Sequence, residues 1–364
     1  TAANSNNITG SVTLNATKDN ASISFSGTAS TFNAVVANAD DGISIGVDLS
    51  TDVGGLTLEG DADNAADTND NIQIAAGVTL TSVESITLDA TNSGISASGA
   101  LTLNAQNGVT LNDSLATSGA ANIDSDTDDN GAGDFTIIAA RTLTTNNNTL
   151  TITANDVDLS GNLNSGSAAT TILVSDAGTI GIGATGGGMT IGGTELQNIT
   201  ATGLTIGDAT AGNIVVDGIT AANSNNITGT VTLNAAADNS TVSFVTTAST
   251  FNALDVNADD RISVGVNIST DTGNLSLDGD VDNSADANDD VTFTAGLTLA
   301  SAGSITLDAT NGNMSGAGAL TLNANNGVTL NDNLTTAGAT VVDADDDTNG
   351  SGTFTIAASN TLST

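Results

Sequence analysis

The stretch Val78–Leu111 reads VTLTSVESITLDATNSGISASGALTLNAQNGVTL, and one three-residue word, apolar–Thr–apolar, punctuates it. The word falls at Val78-Thr79-Leu80, Ile86-Thr87-Leu88, Leu101-Thr102-Leu103 and Val109-Thr110-Leu111. In a strand, alternate residues face opposite sides, so the two apolar residues point inward and Thr points out. Thr79 to Thr87 is eight residues, Thr87 to Thr102 fifteen and Thr102 to Thr110 eight again, so Thr79 and Thr102, like Thr87 and Thr110, lie 23 apart. That interval suits one coil of a parallel β-solenoid, in which each turn of chain stacks on the last at about 4.8 Å.

Outward from this stretch the word recurs, for example at Val12-Thr13-Leu14, Phe135-Thr136-Ile137, Leu204-Thr205-Ile206 and Val231-Thr232-Leu233. Asn, Asp or Gly usually follows it, which is turn chemistry. Helical periodicity does not persist over two turns. The expected fold is all-β, a right-handed parallel β-helix with coils of about 22 residues. Some coils should carry longer loops, since Thr205 and Thr232 are 27 apart. The competing architecture is a tandem β-sandwich array, but sandwich strands average five or six residues and commonly bury a Trp or Tyr. This chain has neither aromatic residue.

A second, longer period overlies the first. TAANSNNITG at Thr1 returns unchanged at Thr220, and the chain then runs parallel to its own start at an offset of 219 without a gap. Residues 1–219 thus read as the first long repeat of a continuous solenoid, and residues 220–364 as a second, incomplete copy. With no initiating Met, the chain is expected to be a segment of a longer protein. Apolar differences between the copies exchange one hydrophobe for another: Ile23 for Val242, Val35 for Leu254, Ile74 for Phe293 and Ile95 for Met314. A stacked core tolerates such replacements.

Composition narrows the function. There is no Cys, His, Pro, Trp or Tyr, and 41 acidic residues face only Lys18, Arg141 and Arg261, for a net charge of −38. Nucleic acid and anionic membrane surfaces need basic patches, so neither is an expected partner. No apolar run is long enough for a spanning helix, so the chain is not expected to be membrane-embedded. Without His or Cys the commonest general base and the thiol nucleophile are missing. Acidic pairs such as Asp40-Asp41 and Asp259-Asp260 read as turn residues rather than a glycosidase pair, and the chain is expected not to be an enzyme.

Cations are the natural partners of this charge. Asp126-Thr-Asp128-Asp-Asn130-Gly131 reads D-x-D-x-N-G, and Asp345-Asp-Asp347-Thr-Asn349-Gly350 reads the same. Alternating side-chain oxygens before a turning glycine form the opening half of a calcium loop. Asp124 and Asp343 extend it upstream and Asp134 downstream, while Ile137 and Ile356 stand where a bidentate Glu would complete it. A second cluster, Asp61, Asp63, Asp67 and Asp70, recurs as Asp280, Asp282, Asp286 and Asp289 without the glycine. Calcium, bound weakly, is the expected cofactor of both; solvated loops are the alternative.

Words such as SITLDATNSGISASGALTLNAQNGVTLNDSLATSGA, Ser85 to Ala120, resemble the repeats of filamentous-haemagglutinin-like adhesins and of giant bacterial β-strand-repeat surface proteins. The resemblance runs over most of the chain. It implies a right-handed parallel β-helix, secretion across the outer membrane and a place on the bacterial cell surface or in the extracellular matrix. The GGxGxD nonapeptides of toxin-like calcium repeats and the secretion domain of the haemagglutinin family are not in this sequence. The expected role is a structural, non-catalytic rod that associates with copies of itself. The alternative is a calcium-dependent adhesin module that binds cell-surface glycans or neighbouring cells.

Overall fold

Stacked three-residue words leave little choice of pairing. Each is too short to hold a hairpin, but identical words one coil apart align their apolar residues in register. The computed structural model describes residue 4 and residues 7–66, 69–285 and 288–364, and it divides into two compact units. Unit 1 comprises residues 1–176 and 198–201, and unit 2 residues 177–197 and 202–364. Among the described residues every strand pairing recorded within either unit is parallel, as in the ladder that pairs Leu56, Ile86 and Val109. The fold is a parallel β-helix. A sandwich of antiparallel hairpins is ruled out.

In unit 1 each coil contributes a strand to each of three faces. The first face runs from Val12–Ala16 to Val157–Leu159, the second from Ile23–Phe25 to Ile199–Thr200, and the third from Ser30–Phe32 to Ala169–Val174. Thr79 pairs with Thr102 on the third face and Thr87 with Thr110 on the first, as their spacing predicts. The second face was not legible from the word, because its strands (Ile43–Ile45, Ile72–Ile74, Ile95–Ala97) carry Ser or Gln at the outward centre instead of Thr.

Unit 2 repeats the arrangement. One face runs from Gly203–Asp208 to Phe354–Ile356, a second contains Ile214–Asp217 and ends at Leu362–Ser363, and a third runs from Ser249–Phe251 to Thr340–Asp343. Thr205 pairs with Thr232, the 27-residue step. The repeated segment TAANSNN supplies a short helix, Ala221–Ser224, in place of a strand. Its Ser224 hydroxyl donates to the Thr250 carbonyl on the next coil (3.2 Å), so the helix still closes the ladder above it.

Coil length departs from the expected 22 residues in both directions. Leu101 to Ala121 is a step of 20, Val78 to Leu101 of 23 and Leu49 to Leu80 of 31. The steps from Leu49 to Leu80 and from Ile268 to Leu299 contain the acidic loops of the second cluster, which are inserted at corners.

The core is a set of vertical apolar rows. On the first face of unit 1, Val35, Leu56, Ile86, Val109 and Phe135 form one fully buried row and Ala37, Leu58, Leu88, Leu111 and Ile137 another. Burying each large aliphatic side chain contributes about 1.5–3 kcal/mol. The exchanges Val35 for Leu254, Ile74 for Phe293 and Ile95 for Met314 all fall on buried positions. Inside the corners, polar side chains satisfy one another. Thr51 donates to Ser82 (3.0 Å) and Thr270 to Ser301 (3.0 Å), the same bond in both copies.

Candidate functional site

The D-x-D-x-N-G loops close on themselves. Asp126 is fully buried; its Oδ1 accepts the Asn130 amide (3.3 Å) and its Oδ2 the Gly131 amide (3.0 Å) and the Ser175 hydroxyl (2.6 Å). Asp124 accepts the Asp126 amide (3.3 Å), Asp128 accepts the Asn130 side chain (2.9 Å) and Asp134 accepts that of Asn155 (3.0 Å). In the second copy Asp345 takes the Gly350 amide on both oxygens (3.1 and 2.9 Å), Asp343 the Asp345 amide (3.2 Å), and Asp347 both nitrogens of Asn349. Asp124, Asp126, Asp343, Asp345 and Asp347 thus accept backbone amides, satisfying donors that the sharp turn leaves exposed, while Asp128 and Asp134 hold Asn side chains. Burial, with Asp129 and Asp126 nearby, pushes the Asp124 carboxyl above the usual range.

Two further glycines make the loop. A side chain at Gly133 would meet the Ser125 carbonyl at 1.8 Å, and one at Gly352 would meet the Ala344 carbonyl at 1.5 Å. The D-x-D-x-N-G pattern stops short of them, so sequence reading missed the residue that lets the loop fold flat against its own start.

The second cluster separates into two environments. Asp63 and Asp282 are turn caps, accepting the amides of Ala65 (2.8 Å) and Ser284 (2.7 Å). Asp61, Asp70, Asp280 and Asp289 are buried. Asp61 Oδ2 accepts both the amide (3.1 Å) and side chain (2.6 Å) of Asn92, one coil away, and Asp280 Oδ2 does the same with Asn311 (2.8 Å each). The other oxygen of each, Oδ1, is buried without a hydrogen-bond donor. Asp67 and Asp286 lie outside the described residues. Among the described residues, no three acidic side chains form a ready-made metal cage.

Around Asp61 and Asp280 the structure gathers carboxylates that motif reading did not single out. Register places Glu59 beside Asp89 and Asp278 beside Asp308. Burial raises the Glu59 carboxyl to about 7, with Asp89, Asp61 and Asp113 adding to the effect. Asp113, Asp278, Asp280 and Asp332 are all raised, with burial the largest cause in each. Asp113 has a counter-charge, Arg141 Nη1 at 3.2 Å from its Oδ1. The trace in the sequence is NGVTLND, whose final Asp, at 113 and 332, follows the strand by two residues; period-two reading treats it as a turn residue.

Asp40 and Asp259 hold turns, accepting the amides of Asn20 (2.8 Å) and Asn239 (2.7 Å), both at φ +63°. Asn reaches this left-handed region more readily than most residues, and the carboxylate secures it there. Along the second face of unit 1, Ser44, Gln73, Ser96 and Ala116 form the floor of an open, uncharged groove; Ser243, Ser263 and Thr292 line its counterpart in unit 2.

Compared with known proteins, the chain matches no protein-family model, no curated protein and no solved structure. Its function therefore rests on its own residues. Among the described residues, no helix is long and apolar enough to cross a membrane.

Proposed function

We propose that this chain is a structural, non-catalytic segment of a secreted bacterial surface or matrix fibre, and that it associates with copies of itself. The supporting observation is the parallel stacking of coil on coil within each unit, with apolar rows inside and Thr, Asn and Ser ranks outside. Such a stack makes every internal coil a template for the next, because each strand presents a full row of amide donors and carbonyl acceptors. The charge of −38 favours solubility and opposes sideways clumping. Its acidic loops are self-closed corners that carry much of this charge, with calcium as their expected weak ligand.

Electron microscopy and fibre diffraction of the native protein, with calcium and then with chelator, test this reading. Filaments much longer than one chain, with a meridional spacing of about 4.8 Å, are expected. Separate particles at every concentration would remove self-association, and reducing-sugar release from polysaccharide would overturn the non-catalytic role.

The groove floored by Ser44, Gln73 and Ser96 favours a second reading, a calcium-dependent adhesin module for neutral glycans. Hydroxyl and amide side chains on an uncharged floor suit sugar hydroxyls, although no aromatic platform accompanies them. Binding on a glycan array that disappears with chelator is its expected signature; an empty array removes it.

A further inference from the structure

Asparagine is followed by glycine at Asn107, Asn130, Asn311, Asn326 and Asn349. Glycine has no Cβ to shield its own nitrogen, so at such a step that nitrogen can approach the carbonyl carbon of the preceding asparagine side chain. These asparagines are all exposed, so water reaches each of them. What separates them is how the two reacting groups are held.

At Asn107 both groups are tied: Gly108 donates its amide to the Ser125 carbonyl (2.9 Å), and Asn107 Nδ2 donates to Glu84 (2.6 Å). Gly131 donates to Asp126 (3.0 Å) and Asn130 Nδ2 to Asp128 (2.9 Å). Gly312 donates to the Ala309 carbonyl (2.8 Å) and Asn311 Nδ2 to Asp280 (2.8 Å). Gly350 donates to Asp345 (2.9 Å) and Asn349 Nδ2 to Asp347 (2.7 Å).

Asn326-Gly327 has neither tie. Among the described residues, no acceptor meets the Gly327 amide or Asn326 Nδ2; the side chain touches only the Ser351 hydroxyl, 3.4 Å from its Oδ1. Its counterpart in the first copy is Asn107-Gly108, with the same word NGVTLND and the same backbone shape, φ +107° at Gly108 and +113° at Gly327. The anchor is what changed. Gly303, with no side chain, stands where Glu84 holds Asn107.

We propose that Asn326 is a site of spontaneous covalent modification, converted to aspartate and isoaspartate by its own neighbour and water. The Gly327 nitrogen gives its proton to solvent and bonds to Asn326 Cγ; the Cγ–Nδ2 bond breaks, ammonia leaves and a cyclic imide remains. Water then opens the ring at either carbonyl, and nothing is oxidised or reduced. One opening yields aspartate. The other routes the main chain through the former side chain, adding Cβ to its length. That lengthening falls between Ala324, which ends one strand, and Val328, which begins the next and pairs with Ile305 and Phe354. Ladder register is set residue by residue, so the longer corner loosens this coil. The site does not depend on the fibre reading.

Peptide mapping by mass spectrometry, after prolonged warm incubation of the full chain at mildly alkaline pH, tests this. The exchange of –NH2 for –OH should accumulate at Asn326 about tenfold or more faster than at Asn107, since the two hydrogen bonds that hold Asn107-Gly108 must break before it can react. In denaturant, where both copies lose their partners, the two rates should converge. Asn326→Gln, whose extra methylene disfavours ring closure, should remove most of the mass gain of the folded chain. Equal rates at Asn107 and Asn326 in the folded chain, or an undiminished mass gain in Asn326→Gln, would overturn the proposal. A rate difference that persisted in denaturant would overturn it too, by assigning the contrast to local sequence.

Discussion

Thr51 and Ser82 are 31 residues apart in sequence, yet the Thr51 hydroxyl donates to Ser82 Oγ at 3.0 Å inside a fully enclosed corner. Ser82 also donates to the Gly54 carbonyl (3.2 Å) and accepts the Glu84 amide (3.2 Å). Ser82→Ala therefore leaves several buried groups unsatisfied and should cost about 1–3 kcal/mol, whereas Thr51→Val removes one donor and should cost about 1 kcal/mol. Denaturant melts of the two single variants and the double variant measure this; the double variant should lose less than the sum of the two.

Leu88 lies in a buried row between Leu58 and Leu111. Leu88→Ala should cost about 2–5 kcal/mol, because stacked coils on both sides prevent the cavity from collapsing. Ile95→Met should cost under about 1.5 kcal/mol, since Met314 already fills the same place in the second copy. Thermal melts compare them directly.

Gly133 decides whether the Asp126 loop closes. Gly133→Ala forces its new methyl group against the Ser125 carbonyl, 1.8 Å away, so the loop should open and become a cutting site for a protease that cleaves beside Asp. Asp126→Asn should open it too, by replacing an acceptor of the Gly131 amide and the Ser175 hydroxyl with a group that is half donor. Rates of cleavage equal to wild type in both variants would show that the loop is held by something else.

Stability should fall as pH rises from mildly acidic to neutral. The folded state raises Glu59 to about 7 from an ordinary value near 4.5, so between those values the folded chain binds more protons than the unfolded one. Its contribution is fully present below the unfolded value and is lost as pH passes the folded one. Asp113, Asp278 and Asp332 shift in the same direction through burial. Glu59→Gln should gain about 1 kcal/mol above neutral pH, after allowance for solvent screening, and should flatten the pH profile of the melting temperature.

Ladder partners such as Thr79 with Thr102 and Thr205 with Thr232 follow directly from spacing. Strand, inward face and coil step are local or near-local properties: alternation sets which side chains turn in, and identical words one coil apart have one register that buries both. The second-face strands were harder to read, since Ser and Gln at their outward centres resemble the neighbouring turns. The buried acidic residues were harder still. Nothing local separates Asp61, enclosed and bonded to Asn92, from Asp63, exposed and capping its own turn.

What the sequence by itself determined, then, is a parallel stack of short strands with an apolar interior and a polar, acidic exterior. Only the tertiary structure decided which carboxylates became buried, which amides closed the D-x-D-x-N-G loops, and which corner received a guanidinium. The reason is physical. Side-chain direction along a strand depends on neighbours two residues away, but the surroundings of a corner depend on loops from adjacent coils, 19 to 36 residues distant, whose lengths vary from one turn to the next.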